Sequence, residues 1–203
     1  MSKGIFAHWP NRITALRFLG AGAVFICFDL IGDRPVEACR TEIQVAFWLF
    51  VVVALTDFLD GYLARRYGLE SAFGRIADPF VDKVLVCGTM IFLSVFAWSR
   101  EWLPAWITVV VLAREFLVTG IRGYVESLGA QFGADWFGKI KMFVQCFAMG
   151  TLLGMHAFPF DAGALRFWSN ASHVLVWATL ITSVASGLSY TFKARRFLLG
   201  SSD

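Results

Sequence analysis

Long apolar stretches alternate with short polar segments along the whole chain. Each stretch has about 20 residues, the length that an α-helix needs to cross a bilayer, and turn residues and most charges lie between them. No internal repeat, low-complexity run or long linker interrupts this alternation. The pattern predicts one all-α membrane domain over residues 1–203 with six transmembrane helices, roughly Ile13–Leu30, Ile43–Leu63, Ile76–Trp98, Leu103–Tyr124, Ile140–Phe158 and Ala171–Phe192.

Composition excludes the common soluble classes. Hydrophobic residues make up 58% of the 203 positions and charged residues only 16%, whereas a soluble domain has about 25% charged residues. A soluble domain of this length would leave roughly 30% of its extended-chain surface in water, and this chain lacks the polar residues to cover it. High apolar content is also the reverse of a disordered composition. We therefore expect a protein embedded in the lipid bilayer, with no nucleic-acid partner.

The basic residues predict an orientation, because short cytoplasmic loops are enriched in Lys and Arg. One side of the predicted helices has eleven basic residues, among them both terminal clusters, and the other side has four. Both termini are therefore predicted to be cytoplasmic, which an even number of helices allows. Three further basic residues fall within the predicted helices, namely Arg17, Lys83 and Arg114.

Four carboxylates lie where a bilayer disfavours them. Asp57 and Asp60 are three residues apart near the end of the second predicted helix, and Asp78 and Asp82 are four apart at the start of the third. Each spacing places its pair on one helical face. A carboxylate within a span costs several kcal/mol unless it meets water, a cation or a partner. The short connection would bring the four together just below the cytoplasmic surface.

Three interpretations of this acidic cluster remain open at the level of residue types. Mutual repulsion could keep the acids partly protonated, or they could pair with basic residues such as Arg65, Arg66, Arg75 and Lys83. The third is a metal site. Carboxylate oxygens without a nearby Cys or His cluster suit Mg²⁺ or Mn²⁺, and two ions bridged by Asp residues are typical of phosphoryl transfer.

Small residues accompany the acids. Gly61 and Ala64 follow Asp60, and Gly74 precedes Asp78 by four positions. Small residues in membrane helices commonly serve helix packing, but beside the acids they also leave room for a flat ring or a diphosphate.

Together these residues resemble the signature of the CDP-alcohol phosphotransferase family. Asp57-x-x-Asp60-Gly61-x-x-Ala64-Arg65, eight further residues and Gly74-x-x-x-Asp78-x-x-x-Asp82 match it at every fixed position within residues 57–82. Pro10-Asn11-x-x-Thr14-x-x-Arg17 is similar to the element that precedes the family's first helix. Arg114-Glu115 through Arg122, then Gly138-Lys139-Ile140-Lys141, resembles the bacterial phosphatidylglycerophosphate synthase branch, and Ser186-Gly187-x-x-Tyr190 is a weaker similarity.

The resemblance implies a six-helix fold, usually a homodimer, with a cytoplasm-facing site for two divalent ions, Mg²⁺ or Mn²⁺. It implies that Asp57, Asp60 and Asp78 ligate metal, and that Asp82 is both a ligand and the general base. It also implies a CDP-binding set, namely Asn11, Thr14, Gly61, Ala64, Arg65 and Gly74. The implied reaction transfers the phosphatidyl group of CDP-diacylglycerol to glycerol 3-phosphate.

The acceptor is inferred from cations at the same predicted end as the acids. A phosphate-bearing acceptor needs Arg or Lys partners, and Thr119 could add a hydroxyl. The basic residues in the loops could instead reflect only the orientation of the protein in the membrane. Arg114 could pair with Glu115 or with an aspartate. The candidate phosphate-binding residues are Arg114, Thr119, Arg122, Lys139 and Lys141.

Two alternatives remain. A sister enzyme could use another acceptor: phosphatidylglycerol, as in a cardiolipin synthase, or inositol phosphate or serine. Intramembrane acids also occur in ion and proton transporters, but those spread polar residues through the membrane and often contain repeats. The expected location is a bacterial inner membrane, with the active site facing the cytoplasm.

Overall fold

The computed structural model describes residues 9–67, 72–129 and 136–198. Within these ranges the chain forms six α-helices and no strand. The helices are α1 (Trp9–Ile31), α2 (Val36–Tyr67), α3 (Ala72–Val95), α4 (Ala105–Ser127), α5 (Trp136–Ala157) and α6 (Ala162–Leu198). An all-helical fold is therefore confirmed.

Four helices of the described chain are long and apolar enough to cross a membrane. They contain the segments Asn11–Ile31, Val36–Thr56, Gly138–Ala157 and Ala162–Arg195. The other two helices, α3 and α4, carry buried or half-buried charges in their interiors, such as Lys83 and Arg114. Such charges face the interior of a bundle rather than lipid. The protein is thus a helical membrane protein by length and composition.

Several helices continue past the apolar stretches that predict them. α2 begins at Val36 and ends at Tyr67, with non-helical dihedral angles at Cys39 near its start.

The α1–α2 turn is tight. Gly32 has φ 52°, a conformation that favours glycine, and the Arg34 side chain donates to the carbonyl oxygens of Leu30 and Ile31 at 2.6 and 3.2 Å. Arg34 therefore caps the last turn of α1.

The helices pack around an apolar core. α1 packs against both α2 and α3, α5 against α2 and α6, and α4 against α6. The core side chains of Phe28, Met90 and Leu152 are fully buried, from α1, α3 and α5 respectively. Large apolar side chains such as Phe116 and Phe192 are exposed on the outside of the bundle, as lipid contact requires.

The two ends of the bundle differ in chemistry. At the end where α5 stops and α6 starts, aromatic rings close the bundle. His156 lies 4.7 Å from the Trp98 ring and 5.3 Å from the Trp102 ring, centroid to centroid, and Trp102 donates to Ser169 at 3.0 Å. The buried charged side chains lie toward the opposite end, where α1, α3 and α5 begin.

Candidate functional site

One polar face of α1 points into the bundle. Asn11, Thr14 and Arg17 are spaced three residues apart and are each only 2% exposed, so they share a face. The Arg17 guanidinium donates to the carboxylate of Asp82 on α3 and forms an ion pair with it. Asn11 and Thr14, both predicted CDP-binding residues, therefore lie on the same side of α1 as the contact with Asp82, the predicted general base.

The helical backbones of α2 and α3 place the remaining signature residues. Asp57 and Asp60 lie on the last part of α2, and Asp78 lies one turn before Asp82 on α3. Only residues 68–71 separate the two helices. The side chains of the other signature positions lie outside the described residues, and these are Asp57, Asp60, Gly61, Ala64, Arg65, Gly74 and Asp78.

The described carboxylates do not by themselves assemble a metal site. Among the residues that the structure describes, no three His, Cys, Asp or Glu side chains are grouped for an ion. Of the four predicted ligands, Asp82 alone has a described side chain, 17% exposed. The metal ligand set therefore stays a prediction.

Two of the predicted phosphate-binding cations meet on one buried carboxylate. Glu115 on α4 accepts from Arg114 at 2.7 Å and also from Lys141 on α5. All three residues are less than a tenth exposed. Arg114 donates further to Ser186 on α6 at 2.5 Å. Arg114, Glu115 and Lys141 form a buried group, the Glu115 group. Because its two cations share one anion, the group has a net positive charge.

A second polar contact joins α3 to α4 near this group. Lys83, the residue after Asp82, donates to the Thr119 hydroxyl at 2.5 Å. Thr119 in turn donates to the main-chain carbonyl of Glu115 at 2.7 Å. The residue that follows the predicted base on α3 is therefore in contact with Thr119 of α4, one of the predicted phosphate-binding residues.

The other two predicted cations have different surroundings. Arg122 donates to the Tyr190 hydroxyl at 2.8 Å, and its guanidinium carbon lies 5.6 Å from the centre of that ring. Lys139 is exposed near the start of α5, and no described contact joins it to the Glu115 group. The structure thus brings together Arg114 and Lys141, places Arg122 beside Tyr190, and leaves Lys139 at the periphery.

Three participants in these contacts stand out in the sequence but are not among the predicted site residues. Arg17 and Lys83 were visible as intramembrane cations, a feature that commonly marks functional positions. Glu115 was visible as a possible partner of Arg114. The hydroxyls of Ser186 and Tyr190 gave a weaker signal, because single polar residues are common in long membrane helices and their partners are distant in sequence.

Comparison with known proteins assigns the family. Residues 7–185 match the model of the CDP-alcohol phosphatidyltransferase family. A Bacillus subtilis protein named CDP-diacylglycerol–glycerol-3-phosphate 3-phosphatidyltransferase is 34% identical, over 91% of this chain and 93% of its own length. A Mycobacterium tuberculosis protein named probable phosphatidylglycerophosphate synthase is 34% identical, over 96% and 85% respectively.

A third relative, from Rickettsia felis and with the same name as the Bacillus protein, is 32% identical over 91% of this chain and 93% of its own length. The family match, over residues 7–185, covers the α1 polar face, the four acids and the Arg114, Glu115 and Lys141 group. It favours a transferase over an ion or proton transporter. This chain belongs to the CDP-alcohol phosphatidyltransferase family.

Proposed function

We propose that this protein transfers the phosphatidyl group of CDP-diacylglycerol to glycerol 3-phosphate, which gives phosphatidylglycerophosphate and CMP. Family membership supports the CDP-lipid half of the reaction. The names of the curated relatives support glycerol 3-phosphate as the acceptor.

One structural observation carries the choice of a phosphorylated acceptor. Arg114 and Lys141 are buried and share the carboxylate of Glu115, so within this described group two cations face one anion. The Nε atoms of Arg114 and Arg122 are also buried and have no hydrogen-bond acceptor among the described residues. Buried charge is costly unless it is paired, and guanidinium groups bind phosphate well. A phosphate of the acceptor would balance the positive charge and accept hydrogen bonds from the buried Nε atoms.

The donor chemistry fits divalent ions at the four acids. Oxygen-only donors suit Mg²⁺ or Mn²⁺, and the one described carboxylate of the four, Asp82, is ion-paired with the Arg17 guanidinium. We propose that two ions are held by Asp57, Asp60, Asp78 and Asp82. When bound, they would neutralise the charge of the diphosphate.

The chain's own residues would then perform the transfer. Arg17 orients the Asp82 carboxylate through their ion pair, and Asp82 takes the proton from the acceptor hydroxyl. The freed oxygen attacks the phosphorus that bears diacylglycerol, and the bond to CMP breaks. Proton removal of this kind contributes ~10²–10⁴-fold, and fixing both reactants in place supplies much of the rest. The proposed CDP site consists of Asn11, Thr14, Gly61, Ala64, Arg65 and Gly74.

We propose a cytoplasm-facing site in a bacterial inner membrane, in a homodimer with both termini cytoplasmic. The curated relatives named above are bacterial. The excess of Lys and Arg lies on the side of the chain where α1, α3 and α5 begin, which is also the side of the polar contacts.

An acceptor panel tests the proposal. Purified protein in vesicles that contain CDP-diacylglycerol and Mg²⁺ is offered glycerol 3-phosphate, inositol phosphate, serine or phosphatidylglycerol, and lipid products and CMP are measured by mass spectrometry. We expect phosphatidylglycerophosphate and CMP in equal amounts with glycerol 3-phosphate alone. A lipid product with a different acceptor instead would overturn the assignment.

A further inference from the structure

The motif Ser186-Gly187-x-x-Tyr190 on α6 is not used by the reaction described above. Tyr190 is four residues after Ser186 and three after Gly187, so it is a neighbour of each on the helix surface, and all three are buried. We refer to them as the α6 face. Ser186 and Tyr190 of this face contact Arg114 and Arg122 of α4, two of the residues of the proposed acceptor site.

Arg114 is held by the first two residues of the α6 face. Its Nη2 atom donates to the Ser186 hydroxyl at 2.5 Å. A Cβ atom added at Gly187 would lie 2.9 Å from the Arg114 Cγ, well below the 3.5–4.0 Å at which carbon atoms pack, so something would have to move. The Cγ atom is close to the backbone and cannot swing away as a side-chain end could. Gly187 therefore leaves the space that Arg114 occupies, and a larger residue there would displace it.

Tyr190 holds the second arginine. Its hydroxyl accepts from Arg122 at 2.8 Å. Its ring centre lies 5.6 Å from the guanidinium carbon of Arg122 and 6.0 Å from that of Arg114, within the range of a cation–π attraction. The start of α5 approaches the same hydroxyl, since a Cβ atom on Gly138 would be 3.7 Å from it.

We propose that the α6 face positions Arg114 and Arg122 for the phosphate of the acceptor and thereby sets the affinity for that substrate. The inference rests on the proposed function, because it assumes that these arginines bind the acceptor. Ser186, Gly187 and Tyr190 are positioning residues, which act through the arginines and not on the reacting atoms. A guanidinium binds phosphate through a planar fork of donors, so a small displacement weakens binding of the acceptor while the CDP-lipid site is unaffected.

The first test uses Ser186→Ala and Gly187→Ala, with Ser183→Ala as the matched control. Ser183 lies one turn earlier on α6 and is also buried, but its hydroxyl has no hydrogen-bond partner in the described part of the chain. In vesicles, Ser186→Ala and Gly187→Ala should raise KM for glycerol 3-phosphate about tenfold. KM for CDP-diacylglycerol should stay within about twofold of the wild-type value, and Ser183→Ala should change neither.

Double variants distinguish positioning from a general structural role. In an Arg114→Ala background the Cγ atom and the guanidinium are absent, so neither Gly187→Ala nor Ser186→Ala should raise KM for glycerol 3-phosphate further. Residues that act as one unit are non-additive in this way. Tyr190→Phe keeps the ring and removes the hydroxyl. It should raise the same KM by a smaller factor than Tyr190→Leu, and it should add nothing in an Arg122→Ala background.

The outcomes separate this inference from the proposed function. A wild-type protein that makes no phosphatidylglycerophosphate overturns the proposed function. A wild-type protein that makes it, combined with Ser186→Ala and Gly187→Ala variants that raise both KM values equally, overturns the positioning role alone. Additive effects in the double variants would also overturn that role. A selective and non-additive rise in KM for glycerol 3-phosphate supports it.

Discussion

Arg17 of α1 forms an ion pair with Asp82 of α3, and the two residues are 65 positions apart in the chain. Arg17 is 2% exposed, so its charge is removed from water and needs a partner. The pair fastens the first helix to the helix that carries the proposed general base. It also gives the α1 element Asn11-x-x-Thr14-x-x-Arg17 a direct connection to the acidic cluster.

Replacing Asp82 by Asn should abolish transfer while leaving an assembled protein. The amide keeps the shape of the side chain but cannot accept a proton from the acceptor hydroxyl, so we expect kcat to fall by ~10²–10⁴-fold. The measurement is CMP release by the purified variant in vesicles. Asp33→Asn, an exposed acid in the α1–α2 turn, is the control and should retain wild-type turnover. Near-normal turnover of Asp82→Asn would contradict the general-base assignment.

Replacing Arg17 by Ala should destabilise the protein, and Mg²⁺ should relieve part of the loss. Removing one partner of a buried ion pair costs about 3–5 kcal/mol, because the remaining charge loses its counter-ion. If divalent ions bind at the four acids, they compensate the Asp82 charge that Arg17 otherwise pairs with. The thermal unfolding midpoint of Arg17→Ala should therefore rise more with Mg²⁺ than that of the wild type. An equal rise in both proteins would argue against a cation site that includes Asp82.

The local parts of this architecture could be predicted from sequence. The six apolar stretches predicted the six helices of the described chain, and composition alone marks four of these helices as long and apolar enough to span a membrane. The spacing of Asp57 and Asp60, and of Asp78 and Asp82, predicted shared faces, because residues three or four apart are neighbours on any helix. Helix ends were predicted less well. α2 continues to Tyr67, because a helix does not stop where its apolar stretch stops.

The contacts between helices could not be predicted in the same way. That Lys141 and Arg114 share Glu115 depends on how α4 and α5 are each rotated about their own axes within the bundle. No property of a single helix determines that rotation. The sequence left open whether Arg114 pairs with Glu115 or an aspartate, and the structure selects Glu115. The pairing does not exclude phosphate binding, since one carboxylate cannot neutralise two cations.

Replacing Arg114 by Ala should weaken binding of the acceptor selectively. The guanidinium has a buried Nε donor without an acceptor in the described chain, and it is the member of the Glu115 group best suited to a phosphate. We expect KM for glycerol 3-phosphate to rise by about 10–100-fold, as for the loss of a charged hydrogen bond, with a much smaller change for CDP-diacylglycerol. Arg195→Ala removes an exposed cation near the end of α6 and is the control. Equal changes in both KM values would contradict an acceptor role for Arg114.

Replacing Glu115 by Gln should destabilise the bundle, and a second substitution should restore it. The variant leaves Arg114 and Lys141 buried without their shared anion, which for a broken buried pair costs about 3–5 kcal/mol. In the double variant Glu115→Gln/Lys141→Met one of the two cations is gone and the apolar stem is kept. The thermal unfolding midpoint of the purified protein in detergent should fall in the single variant and recover in the double variant.

Glycerol 3-phosphate gives a second measurement on the Glu115→Gln variant. Its phosphate can substitute for the missing carboxylate, because both are oxyanions that a guanidinium binds in the same planar geometry. Saturating glycerol 3-phosphate should therefore raise the unfolding midpoint of Glu115→Gln more than that of the wild type, whereas glycerol without phosphate should raise neither. If glycerol 3-phosphate stabilises both proteins equally, the phosphate does not reach the Arg114–Lys141 pair. The acceptor site would then have to be sought at Arg122 and Tyr190 instead.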